Sequence, residues 1–138
     1  MTVFVDTSAW YAAADRDDRS HQRAAALLGE FSGDLLTTDH VLIETWYLTR
    51  ARLGADIAED LVSGIRAGIA RIENTELSDL EVAAATRARF LDQDLSIVDR
   101  TSWSVMLRLG IQEAIAFDRD YSIFRFGPQR SGAFVIHS

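Results

Sequence analysis

The sequence predicts an α/β fold: a three-layer α/β/α sandwich around a central, mainly parallel sheet of four to five strands. Three observations carry this. Short β-branched and aromatic runs alternate along the chain with stretches whose apolar residues recur at helical period. The short runs are apolar at consecutive positions, the pattern of strands buried on both faces. Two of them, Val3–Val5 and Leu35–Thr37, pass directly into acid and hydroxyl residues suited to cap the next helix.

The elements follow in order. Val3-Phe4-Val5 is a strand, and Asp6-Thr7-Ser8 caps a helix through Ala9–Ala14. After a charged loop, Ala24, Leu27, Leu28 and Phe31 mark a helix over 20–31. Leu35-Leu36-Thr37 is a second strand. Thr38-Asp39 caps a helix to Leu53, stopped by Gly54, with Val41, Leu42, Thr45, Trp46 and Leu48 inward. Ile57, Leu61, Val62 and Ile65 repeat at helical spacing as far as Gly68, and Ile69–Ile72 reads as a third strand. Ser78-Asp79-Leu80-Glu81 reads as a capping box for a helix to Leu91. Ser96 opens a helix through Leu109, ended by Gly110. Ala114–Phe117 is a strand running into Asp118, and Phe134–Ile136 is the last strand.

The 138 residues suit one domain, 1–138, without repeats or linkers. There are 21 acids against 14 bases, for a net charge of −7, and every base is Arg. The absence of Cys excludes disulfides, thiol nucleophiles and thiolate zinc sites. The absence of Lys excludes a P-loop, Schiff-base chemistry and lysine-assisted phosphotransfer. His21, His40 and His137 lack the spacing of a zinc helix. The acidic balance disfavours a generic basic nucleic-acid module. The N-terminal segment lacks a basic region before its apolar run, which Asp6 ends, and no stretch approaches membrane-spanning length. A cytoplasmic protein is expected.

In parallel sheets ligands bind outside the carboxyl ends of the strands. Asp6 and Asp118 each follow a strand, so both are expected on that edge. Asp99 lies three residues beyond Ser96, and Glu44 sits on the apolar stripe of its helix. Each has a plainer reading: Asp6 as a helix cap, Asp118 as a turn acid, Asp99 in a capping box with Ser96, Glu44 paired with Arg50. Their combination argues for a site. Clustered carboxylates repel one another, and a divalent cation removes the conflict. All-oxygen ligation favours Mg²⁺ or Mn²⁺. Such a cation can activate water for in-line attack on a phosphodiester, with no nucleophilic side chain needed.

Four pieces together resemble the PIN-domain ribonucleases of the VapC toxin type. They are Val3-Phe4-Val5-Asp6-Thr7-Ser8, Thr38 to Thr45 around Glu44, Leu95 to Ser102 around Ser96 and Asp99 ahead of Leu109-Gly110-Ile111, and Ala116-Phe117-Asp118-Arg119-Asp120-Tyr121. The four acids are separated by 38, 55 and 19 residues. The resemblance implies an Mg²⁺-dependent endoribonuclease, with Mn²⁺ an alternative ion. Asp6, Asp99 and Asp118 would ligate the metal. Glu44 would touch it directly or through water and orient the attacking water. Ser8 and Ser96 would hold the aspartates. Asp94 and Asp120 rank lower, Asp94 being the competitor of Asp99.

The resemblance also implies an RNA substrate, a cognate antitoxin protein that covers the acidic groove, and a homodimer formed through helices. Trp10, Tyr11, Trp46 and Tyr47 are assigned to the core in preference to an interface. Among basic residues Arg125 and Arg130 are the preferred phosphate contacts, ahead of Arg87, Arg89 and Arg119. Three other readings stay open: an RNA-processing nuclease without an antitoxin, a non-catalytic RNA- or partner-binding module, and a metal phosphatase.

Overall fold

The computed structural model describes residues 1–138. Five parallel strands form one sheet in the order β3-β2-β1-β4-β5: β1 Val3–Val5, β2 Leu35–Thr38, β3 Arg71–Glu73, β4 Glu113–Ile115 and β5 Val135–His137. Pairing is in parallel throughout, with Val3 opposite Leu35 on one side and Glu113 on the other. Seven helices accompany it: α1 Thr7–Ala14, α2 His21–Glu30, α3 Asp39–Leu53, α4 Ala55–Gly64, α5 Leu77–Arg89, α6 Ile97–Leu109 and α7 Asp120–Ile123. Every residue of β1 and β2 is buried, so both faces of the sheet centre are covered. Phe4, Leu36 and Ala114 in the sheet and Trp10, Trp103 and Met106 from the helices belong to one core. No helix is long and apolar enough to cross a membrane.

The chain order reverses between β1 and β4. The two strands are neighbours there, and the Asp6 N–H donates to the Ile115 carbonyl at 3.1 Å where β1 ends. A reversal of this kind opens a crevice at the carboxyl edge, because the connections leave β1 and β4 in opposite directions.

Several boundaries differ from the sequence reading for definable reasons. The third strand is Arg71–Glu73, not Ile69–Ile72. Helix α4 continues as a π-helical turn, Ile65–Ile69, until Gly68 at φ 127° breaks it, so Ile69 is used before the strand begins. As an edge strand, β3 also needs no unbroken apolar run. The β4 ladder stops at Ile115 instead of Phe117, because the Phe117 N–H is bound by the Ser8 hydroxyl at 2.9 Å. Phe134 lies outside β5 and stacks near Phe124, with ring centroids 5.7 Å apart. Helix α5 is capped by Glu76, whose N–H donates to Asp79 at 2.8 Å. The box expected at Ser78 and Glu81 is therefore set two residues earlier.

The aromatics divide. Trp10 and Tyr11 are buried, Trp46 is half-buried, and Tyr47 is 62% exposed, against its assignment to the core. Arg50 stands over the Trp46 ring at 5.8 Å, and Glu44 has no ion pair with it.

Candidate metal centre

A cleft of about 320 Å³ lies at the carboxyl edge of the β1/β4 reversal. Its wall is made by Asp6, Thr7, Ser8, Glu44, Leu48, Ser96, Asp99, Asp118 and Asp120. Each acid arrives there by a different element.

Asp6 leaves β1 and is the N-cap of α1, with extended backbone at φ −83°, ψ 160°. Its Oδ2 accepts from the Ser8 N–H at 3.1 Å and the Ser8 hydroxyl at 2.6 Å. Its Oδ1 is buried and has no donor. Capping and site-building are thus one arrangement at Asp6, with one oxygen anchored and the other left over. Burial is the main force on this carboxyl and raises it to about 6; the Ser8 hydrogen bonds oppose that and the Glu44 charge adds to it.

Asp99 sits in the first turn of α6. Ser96 caps that helix, its Oγ accepting the Asp99 N–H at 3.0 Å. Ser96 therefore holds the backbone of Asp99, whereas Ser8 holds the carboxylate of Asp6. The buried Arg100 next in line donates to the carbonyls of Leu95 at 3.2 Å and Ala83 at 2.6 Å, fixing the loop that leads into α6. Burial first, then the charges of Asp6, Asp118, Glu44 and Asp120, push Asp99 up to about 9. The four acids act on Asp99 because all of them line the same cleft.

Asp118 lies beyond β4 and accepts the Asp120 N–H at 2.9 Å. Carboxylate oxygens of Asp99, Asp118 and Asp120 all lie within 4.8 Å of one another. Asp120, ranked low from sequence, thus belongs to the tightest group, and burial and Asp118 raise its pKa. Glu44 faces the cleft from α3 with partial exposure. Asp94 is exposed and does not line the cleft. Arg125 donates to the carbonyls of Ser122 and Phe124, and Arg130 to that of Arg89 while lying 4.8 Å from the Phe90 ring centre. Neither lines the cleft.

The sequence reading missed Tyr121 as a site neighbour. Its buried hydroxyl lies beside the acids; burial and the charges of Asp6 and Asp99 raise its phenol well above its usual range, so it stays protonated. Trp103 packs edge-on against it at 5.5 Å and stacks on Phe124 at 4.5 Å, fixing α7 and the Asp118 loop to α6. An aromatic directly after an acid was the available signal.

The residues fit a hard divalent cation. The donors are all carboxylate oxygens, the set that suits Mg²⁺ or Mn²⁺ and not softer metals. Asp6 Oδ1 is buried with no protein donor, and Asp99 is ionised at neutral pH only if a counter-charge displaces the proton that its neighbours and burial hold on it.

The chain matches the PIN domain model over residues 3–127. It is 36% identical over 124 residues to the 23S rRNA-specific endonuclease VapC20 of Mycobacterium tuberculosis, covering 90% of this chain and 95% of that protein. It is 24% identical over 135 residues to ribonuclease VapC26 of the same organism, covering 97% and 98%. The crystal structure of VapC20, described as a sarcin–ricin loop cleaving toxin, superimposes with a TM-score of 0.83 at 34% identity, over 88% of this chain and 94% of that one. VapBC2 from Rickettsia felis, bound to a DNA fragment from its promoter, shares the fold with a TM-score of 0.68 at 10% identity, over 99% and 97%.

Proposed function

The chain belongs to the PIN-domain family, and from that premise we propose that it is a metal-dependent endoribonuclease, the toxin of a VapBC-type toxin–antitoxin pair. The observation that carries the metal-dependent reading is the convergence of Asp6, Glu44, Asp99, Asp118 and Asp120 on one cleft, with Asp99 raised to about 9 by burial and its neighbours. Such repulsion is kept in a fold when a cation offsets it. The likeness to ribonucleases supports RNA as the substrate.

Asp6, Asp99 and Asp118 are the residues that would hold Mg²⁺ or Mn²⁺, with Asp120 close enough to join them. When bound, the cation supplies a Lewis-acid charge for the developing charge on phosphate and makes nearby water more acidic. The protein does the rest. Ser8 fixes Asp6 in one rotamer through two bonds to Oδ2. Ser96 and Arg100 set the start of α6 and so the position of Asp99. Glu44, which lines the cleft from α3, would accept a hydrogen bond from the attacking water and orient it for in-line displacement. Buried Tyr121, Trp103 and Phe124 exclude water from behind the acids.

The partners of this reading are RNA, a cognate antitoxin and a second copy of the chain, with the site of action in the cytoplasm. Ile43 and Tyr47, four residues apart on α3 and both exposed, are the side chains through which a helix-mediated homodimer would form. The test is induced expression with transcriptome-wide mapping of RNA ends. Discrete new 5′ ends and growth arrest, both absent with Asp6→Asn and relieved by a neighbouring antitoxin gene, are expected. Growth and RNA ends unaffected by wild-type expression contradict the reading.

A further inference from the structure

Two shallow depressions join the acidic cleft. One is lined by Tyr11, Asp18, Arg19, Arg52 and Phe117 and shares Ser8 and Leu48 with the cleft. The other is lined by Arg19, Arg23, Phe117 and Arg119 and shares Asp118 with it. Arg19, Ser20 and Phe117 belong to both, so the three hollows form one continuous surface. Four arginines from four places in the chain meet there: Arg19 before α2, Arg23 in its first turn, Arg52 in the last turn of α3, and Arg119 after Asp118.

None of the four takes part in an ion pair. The ion pairs of the chain join Arg108 to Glu73, Glu76 and Asp79, and His137 to Glu113. Arg52 lies over the Tyr11 ring at 5.0 Å, a cation–π contact that orients its guanidinium. Arg23 spends only its Nε, on the Ser138 carbonyl at 3.0 Å. Asp18, the other acid of these two hollows besides Asp118, has one oxygen bound to the Ser20 N–H at 2.8 Å. In a chain of net charge −7, four unpaired cations beside the acid cleft are a local reversal of sign.

We propose that Arg19, Arg23, Arg52 and Arg119 form a phosphate-binding bank that holds the RNA backbone next to the bond placed in the cleft. The inference rests on the nuclease reading for the identity of the polyanion. The geometry favours a strand over a small anion: the bank spans two adjoining hollows and runs into the cleft instead of enclosing one site. Guanidiniums suit phosphate oxygens through paired N–H donors, and their unpaired state leaves those donors for a ligand. An RNA strand held along the bank would bring its backbone toward the acid cleft, because the hollows share Ser8, Leu48 and Asp118 with it. The bank replaces Arg125 and Arg130, whose guanidiniums are engaged with backbone carbonyls.

The experiment measures binding of a fluorescent sarcin–ricin loop hairpin across a salt series, in the Glu44→Gln background with millimolar Mg²⁺ to suppress cleavage. Arg19→Gln, Arg119→Gln and their double variant are compared with Arg66→Gln, at the opposite edge of the sheet. Each bank substitution is expected to flatten the slope of log K against log salt by about 0.7–0.9, and the double variant by about twice that. Arg66→Gln should not change it. With Glu44 restored, the bank variants should raise KM and leave kcat in place. Unchanged slopes in both single variants and the double overturn the bank, even if the wild type cleaves RNA. Slopes that flatten as stated while the wild type fails to cleave support the bank and overturn the nuclease reading instead.

Discussion

Ser8 and Phe117, 109 residues apart, are joined by a hydrogen bond of 2.9 Å in which the Ser8 hydroxyl accepts the Phe117 N–H. The same hydroxyl donates to Asp6 Oδ2 at 2.6 Å. One small side chain thus ties the acid at the end of β1 to the loop that carries Asp118. It also ends the β4 ladder, freeing that loop to turn toward the cleft.

Ser8→Ala breaks both bonds while keeping a helix-compatible residue. Partners that orient metal ligands are worth about 10–100-fold in metal affinity or activity when removed. Metal-dependent RNA cleavage should fall by that factor, and partial recovery is expected at higher Mn²⁺. Cleavage assays over a metal titration, with circular dichroism to check folding, measure it. Wild-type metal dependence in Ser8→Ala would mean that Asp6 needs no anchor.

Asp99→Asn removes the most strained charge of the cleft. Without metal, this variant should melt at a higher temperature than wild type at pH 8. Its cleavage should drop about 100-fold or more, the equivalent of losing about 3 kcal/mol of charge stabilisation. Calorimetry and a cleavage assay read the two effects. A stability gain joined to an activity loss identifies a charge kept for function; a destabilised variant would assign Asp99 a structural part.

The pH dependence follows from the same shifts. Asp99 is raised from the ordinary 3.8 to about 9, and Asp6 to about 6. Between those limits the folded chain retains protons that the unfolded chain has released. The stability these groups allow is complete below about pH 4 and declines as pH rises toward about 9 in the metal-free protein. A cation competes with these protons, so Mn²⁺ should raise the melting temperature more at pH 8 than at pH 5. Equal shifts at the two pH values would contradict the coupling of the carboxyls to metal.

Arg108→Met tests a lock remote from the cleft. Buried Asp79 accepts from Ser104 Oγ at 2.7 Å and Arg108 Nη2 at 3.0 Å, joining α5 to α6; burial works to raise its pKa, but the hydrogen bonds from Arg108, the Glu76 N–H and Ser104 outweigh it and lower it. Breaking a buried pair from one side costs about 3–5 kcal/mol; with Arg108 partly exposed, about 3 kcal/mol is expected by urea denaturation. Since Asp79 is depressed, its contribution is complete above the unfolded value near 4 and disappears as pH falls below it. A loss under about 0.5 kcal/mol would show the pair to be a solvated surface contact.

Much of this was legible in the sequence. Short runs without a charge, Val3-Phe4-Val5 and Leu35-Leu36-Thr37, mark β1 and β2 because those strands are buried on both faces. The edge strand β3 was misplaced because only Ile72 of its three residues carries the strand pattern, while Ile69 imitates it. Asp6, Glu44, Asp99 and Asp118 were found from their places after strands and on helix faces. Asp120 was undervalued because its proximity to Asp99 depends on the turn of α7, which no periodicity announces. The arginine bank was invisible for a similar reason: its members come from four separate elements and share no spacing. Arg125 and Arg130 are preferred from sequence because they lie in the Gly-containing segment after Asp118, whereas local carbonyls claim them.

The most direct test of the carboxylate-held cation is cleavage of total cellular RNA by purified protein under a titration of Mg²⁺ or Mn²⁺, with Asp6→Asn and Asp99→Asn alongside. Cleavage at defined internal bonds should rise with the ion, stop with EDTA, return when the ion is restored, and be lost in both variants. Cleavage that persists in EDTA, or that both variants retain at the wild-type rate, contradicts a carboxylate-held cation.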